Sequence, residues 1–118
     1  MKDLLHKFLG ILKVELEDLE SDIGDLLEAC QRRKDESEIT DYVYLENKTL
    51  LINEIAALKS LIHGLDEMDT GHFATSAQMI QEIDRLIRAR TSESAFPEAV
   101  YRMVKRRLDK VAQYLLQQ

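Results

Sequence analysis

Apolar residues recur early in the chain at Leu5, Phe8, Leu12, Leu16, Leu19, Ile23, Leu26 and Cys30. The steps between them are three and four residues, which lines them up on one side of an α-helix with a heptad flavour. Leu4, Leu9, Ile11 and Leu27 widen the stripe into a face broad enough for a globular core. The pattern predicts a first helix over residues 3–34. Gln31 to Glu38 then carry no apolar side chain and mark a turn, with Asp35 or Ser37 as the expected cap of the next helix. Neither Gly nor Pro signals the break, so one unbroken helix is the competing reading. At about 60 residues it would be several times longer than the mean globular helix of roughly 11–12.

A second helix is predicted over residues 39–64. Tyr44, Leu51, Ile55, Leu58, Ile62 and Leu65 keep the heptad, Lys48 interrupts it, and Gly64 is placed to end it. Beyond a connection at 66–73, Thr75 and Gln78 have the spacing of a capping box that opens a third helix over 75–90. Its face is Met79, Ile80, Ile83, Leu86 and Ile87. Pro97 suits the first turn of a fourth helix over 97–116, whose stripe is Val100, Tyr101, Val104, Leu108, Val111, Ala112 and Leu115. The fold class is therefore all-α: one helical domain over 1–118, an antiparallel bundle of four helices in which a long hairpin precedes two shorter helices. Leu19, Ile23, Leu51, Ile55, Leu58, Ile83, Val104, Leu108 and Val111 are its expected central core.

The helices differ in length. The first two would extend roughly 40–48 Å and the last two roughly 24–30 Å. Part of the hairpin's apolar length is then left for a partner helix or a second copy, a homodimer being the expected assembly. Two ends are available. Leu4, Leu5, Phe8 and Leu9 with Ile62 and Leu65 form one cluster, and the region of Cys30 and Tyr42 forms the other. The first is expected to be the partner surface because it is richer in large apolar side chains.

Composition narrows the function classes. Of 118 residues, 45% are hydrophobic and 32% charged, too apolar for a disordered chain. Cys30 is the single cysteine, so no internal disulfide can form, and a reducing, cytoplasmic setting is expected. Charge interrupts the N-terminal residues too early for a signal peptide, and no apolar run approaches the roughly 18–20 residues of a membrane span, so no membrane association is expected.

Charge is divided unevenly. Residues 1–72 hold 8 Lys+Arg against 17 Asp+Glu, and residues 73–118 hold 8 against 5. Arg85, Arg88, Arg102, Lys105 and Arg106 could form a basic patch on the last two helices for an acidic protein or phosphates. The chain's acidic balance and the lack of interleaved aromatic residues argue against nucleic acid. On the first helix Glu15, Asp18, Asp22 and Asp25 share one face, a spacing that could hold a divalent cation. Each acid stands one residue before a core position, about 100° around the helix, which points it toward solvent.

Asp3-x-x-His6 and Asp69-x-x-His72 are not the Glu-x-x-His pairs of di-iron bundles, and Cys30 reads as a small buried hydrophobe. No cofactor, metal or catalytic residue is expected. Lys48 would either extend its charge to solvent or select a partner.

Two resemblances accompany these readings. The acidic stripe is similar to the paired acidic motifs of all-helical nucleotide pyrophosphohydrolases of the MazG type, which implies metal-dependent hydrolysis. Those enzymes carry a second acidic motif on a facing helix, where this chain has only Glu46 and Glu54. The stretch Tyr44 to Ile55, with heptad leucines among Glu and Lys, resembles a helix of flagellar-type export chaperones, which implies a helical protein that holds a partner helix. A helical interaction module without catalytic activity is the leading expectation.

Overall fold

A computed structural model describes residues 2–94 and 96–116 as four α-helices, α1 (Lys2–Asp35), α2 (Asp41–Asp66), α3 (Ser76–Glu93) and α4 (Glu98–Leu116), with a 3-10 turn at Thr70–His72. Among the described residues there is no strand. The break between α1 and α2 is real, and the backbone makes it without glycine. Ser37 adopts φ 61°, the left-handed region. From there Glu38 N–H donates to Arg33 C=O at 2.8 Å and Ser37 N–H to Lys34 C=O at 3.0 Å, the paired bonds of a Schellman turn. Thr40, and not Asp35 or Ser37, caps α2, its hydroxyl accepting from Val43 N–H at 3.2 Å. The left-handed conformation costs a non-glycine residue about 1–2 kcal/mol, and glycine adds about 0.4–1 kcal/mol of unfolded-chain entropy. Ser37→Gly is therefore expected to raise stability by roughly 0.5–1 kcal/mol; thermal melting of the two chains checks it, and a lowered midpoint contradicts it.

The capping box stands. Thr75 Oγ1 accepts from Gln78 N–H at 3.2 Å, and Gln78 Oε1 returns to accept from Ala74 N–H at 2.9 Å, one residue earlier than the usual partner. Gly64 does not end α2, which runs on to Asp66. It is buried where Leu86 and Arg90 of α3 cross; a β-carbon there would lie 3.2 Å from both side chains. The glycine admits the close crossing, and Arg90 reaches past it to donate to Ser60 Oγ at 3.1 Å.

In the bundle α1 lies between α2 and α4, and α3 closes the ring against α2 and α4. Leu5, Phe8, Leu12, Leu16, Leu19 and Ile23 of α1 meet Leu58, Leu61, Leu65, Met79, Ile83, Ile87, Val104, Leu108 and Val111 in one core. Leu51 and Ile55 are only half-buried, because the cover provided by the short helices thins at their level. The molecule is 55 Å along its longest axis. At about 1.5 Å per residue α1 spans nearly all of it, whereas α3 and α4 reach roughly half.

The direction of that mismatch corrects the expected partner surface. Leu5, Phe8, Leu9 and Leu65 are buried within the chain's own core, and Leu4 and Ile62 are half-buried. The connection after α2 necessarily starts at the C-terminal end of α2, beside the start of α1, so the second half of the chain folds back over that end first. Met68, Phe73, Leu115 and Leu116 pack against the core, and His6 Nδ1 lies 3.2 Å from the hydroxyl of buried Thr70. What remains uncovered is the opposite end, around the turn at residues 36–40.

Candidate interaction surface

Two heptad stripes show where the cover ends. On α1, Leu5, Leu12 and Leu19 are buried, Leu19 at 7% exposure, but Leu26 one heptad further is 58% exposed. On α2 the series runs the other way: Val43 is 38% exposed, Leu50 46%, and Ala57 is fully buried. α4 reaches as far as Leu19, which shares a shallow depression with Met103, Arg106 and Arg107. Past that level Ile23 is still buried, but Leu26 on one stripe and Leu50 and Val43 on the other face solvent.

Between them lies a groove lined by Leu26, Ala29, Cys30 and Arg33 of α1 and Asn47, Leu50 and Leu51 of α2. Its floor is apolar, and the small side chains of Ala29 and Cys30 leave room along it. On the far flank of α2, Leu45, Ile52 and Tyr42 are also exposed. Scattered apolar residues are ordinary on a protein surface; these stand together at helical spacing.

Near the tip, Tyr44 ties the two helices of the hairpin together. Tyr44 is buried between the hairpin's helices; its hydroxyl donates to Gln31 Oε1, and the ammonium groups of Lys34 and Lys48 stand 4.7 Å and 5.7 Å from its ring centre. The interruption of the α2 stripe by Lys48 thus has a local reason: the lysine stem lies along the hairpin and its charge sits over the tyrosine ring.

Charge also sorts by region along the hairpin. Residues 20–54 contain 10 Asp+Glu and 4 Lys+Arg, a net of −6; the whole chain is also −6, so everything outside this segment sums to zero. In the covered half several charges are paired between helices. Glu15 accepts from Lys110 at 2.9 Å and Arg107 at 3.3 Å, and the hydrogen bond from Lys110 leads in holding its carboxyl below the usual value. Asp84 accepts from Arg88 and the Tyr101 hydroxyl, both at 2.9 Å. Burial works against its ionisation, but these hydrogen bonds and the Lys105 charge outweigh it and lower its pKa.

The expected basic patch is therefore largely neutralised in place: Arg85 pairs with Glu82, Arg88 with Asp84, Arg102 with Glu98, and Lys105 with Asp84 and Asp109. Arg106 is exposed, and among the described residues it makes no ion pair.

The acidic stripe is not gathered into a site. Glu15 is committed to α4, while Asp18, Asp22 and Asp25 are exposed. Among the described residues no three His, Cys, Asp or Glu side chains lie close enough together to hold a metal ion. His63 and His72 pair singly with Glu67 and Asp69 at the surface. Among the described residues no helix is long and apolar enough to cross a membrane. Sequence reasoning named this end through Cys30 and Tyr42 but ranked it second, and read Leu26 as core because its spacing is that of core residues; only the direction in which the short helices run separates the two ends. Compared with known protein families, curated proteins and solved structures, the chain finds no significant match in any of the three.

Proposed function

We propose that this chain is a helical protein–protein interaction module, without catalysis of its own, that docks a partner on the uncovered half of the α1–α2 hairpin. One observation carries the reading: the apolar stripes that α3 and α4 cover at one end continue, at the same spacing, onto an open groove at the other. A helix laid there would complete the packing that the short helices begin, which is how amphipathic helices enter apolar grooves. The neutralised basic patch gives little support to nucleic-acid binding, and the lone thiol accords with a cytoplasmic setting.

The test is affinity capture with the full chain and with a Leu26→Asp, Leu50→Asp variant. Both positions are solvent-facing, so the variant is expected to fold with an unchanged circular dichroism spectrum. A partner, or a second copy, should be retained by the parent and lost from the variant. Identical captured sets would show that the groove is not the docking surface.

A further inference from the structure

We infer that the occupant of this groove is a cationic amphipathic α-helix of another protein, about three turns long, with an apolar ridge flanked by Lys or Arg; the inference rests on the docking surface just proposed. Length follows from the uncovered stripes. Leu26 to Arg33 and Val43 to Leu50 each span eight residues, roughly 10 Å of axis, and the flanking side chains extend the contact to roughly 15–20 Å. A ridge of apolar residues at i, i+3 or i+4 and i+7 fits Leu26, Leu50 and Leu51 around the small floor residues Ala29 and Cys30.

The charge of the occupant follows from the rims. Asp22, Asp25 and Glu46, all exposed, lie within about one helical turn of the groove-lining Leu26 and Asn47, and Glu54 follows Leu50 and Leu51 on α2, largely buried. Among the described residues none of these four acids takes part in an ion pair. The nearest cation on the groove wall, Arg33, is paired with Glu38 at 3.4 Å. Outside residues 20–54 the charges sum to zero; this segment, which holds the groove, keeps a net of −6. A second copy docking through the same hairpin would bring two such segments together, and like charges so placed oppose association. A helix bearing Lys or Arg beside its apolar ridge is attracted, and its cations meet acids that have no other partner.

The probe is a 14-residue helical peptide with leucines at i, i+3, i+7 and i+10 and lysines on both flanks, compared with a twin carrying Glu for every Lys. Binding to the full chain is read by fluorescence anisotropy. The lysine peptide should bind about tenfold or more tighter than its twin at low salt, and the gap should shrink as salt screens the rims. Asp22→Asn with Glu46→Gln should narrow the gap while leaving the folded chain unchanged. Leu26→Asp with Leu50→Asp adds negative charge, so loss of the lysine peptide from that variant would identify the apolar slot and exclude mere ionic adhesion.

Equal binding of the two peptides, failure of the lysine peptide to bind, or its undiminished binding to the Leu26→Asp, Leu50→Asp variant would each overturn the inference. So would a chain that sediments as a dimer which the lysine peptide does not dissociate. If captured partners are lost from that variant while the twin peptides bind equally, the groove stands and the cationic occupant falls. If captured partners survive in the variant, the docking surface itself falls.

Discussion

Leu12→Ala is expected to lower folding stability by about 2–5 kcal/mol, whereas Leu26→Ala should cost less than about 1 kcal/mol. The two leucines lie two heptads apart on one stripe of one helix and lose the same atoms on substitution. What differs is the cover. Leu12 is fully buried where α2 and α4 both press on α1, and truncation there leaves a cavity that rigid neighbours fill only in part. Leu26 is more than half exposed, so water already occupies most of what the side chain would vacate. Urea unfolding of the two variants measures the difference. Similar losses at both positions would show that the bundle extends farther along the hairpin than the structure places it.

Glu54→Met is expected to raise stability at neutral pH by about 0.5–1 kcal/mol, the low end of the cost of desolvating a polar group, because the carboxyl oxygens keep some contact with water. Glu54 sits on α2 between exposed Leu50 and buried Ala57, where the cover begins, and is itself buried. Among the described residues no hydrogen bond or ion pair reaches it. Burial pushes its carboxyl above the usual 4.5.

The sign follows from that direction. A carboxyl whose pKa is raised by folding contributes stability when protonated, present below 4.5 and lost as pH rises through its folded value. The gain from Glu54→Met should therefore be seen at neutral pH and shrink toward acid. Glu15 and Asp84, whose pKa values are lowered, behave oppositely: their contribution is present above their ordinary values and is lost as pH falls through the folded ones. Melting points of parent and variant across pH separate the two effects. A gain that grows toward acid would contradict the assignment. The same substitution should weaken binding of the lysine peptide, so Glu54 would trade stability for recognition.

Much of the fold can be read from the chain because its signals are local and periodic. The stripe from Leu5 to Cys30, the Thr75–Gln78 box and the polar break at 31–38 each announce an element without reference to any other. Errors arise where a residue's role depends on a neighbour distant in sequence. Gly64 looks like a helix stop, yet it serves as the smooth spot where Leu86 and Arg90 cross. Leu5, Phe8 and Leu9 look like surplus apolar surface until the chain's return path is known. The loop joining α2 to α3 fixes which end of the hairpin is closed, and two helices of 18 and 19 residues cannot reach the other. The basic side chains of α3 and α4 likewise look like a patch until their acids, some on the same helix and one on α1, are found beside them.

The buried sulfur on the groove floor has one more consequence. Cys30 is the single thiol in the chain, and it lies where only two helices touch, shielded by side chains and not by a third layer. Segments with so few neighbours open locally at lower free energy than the core they extend. The rate at which Cys30 meets a thiol-reactive label therefore becomes a clock for the parting of α1 and α2 at this end. It runs independently of global unfolding, and an occupant laid along the groove would slow it.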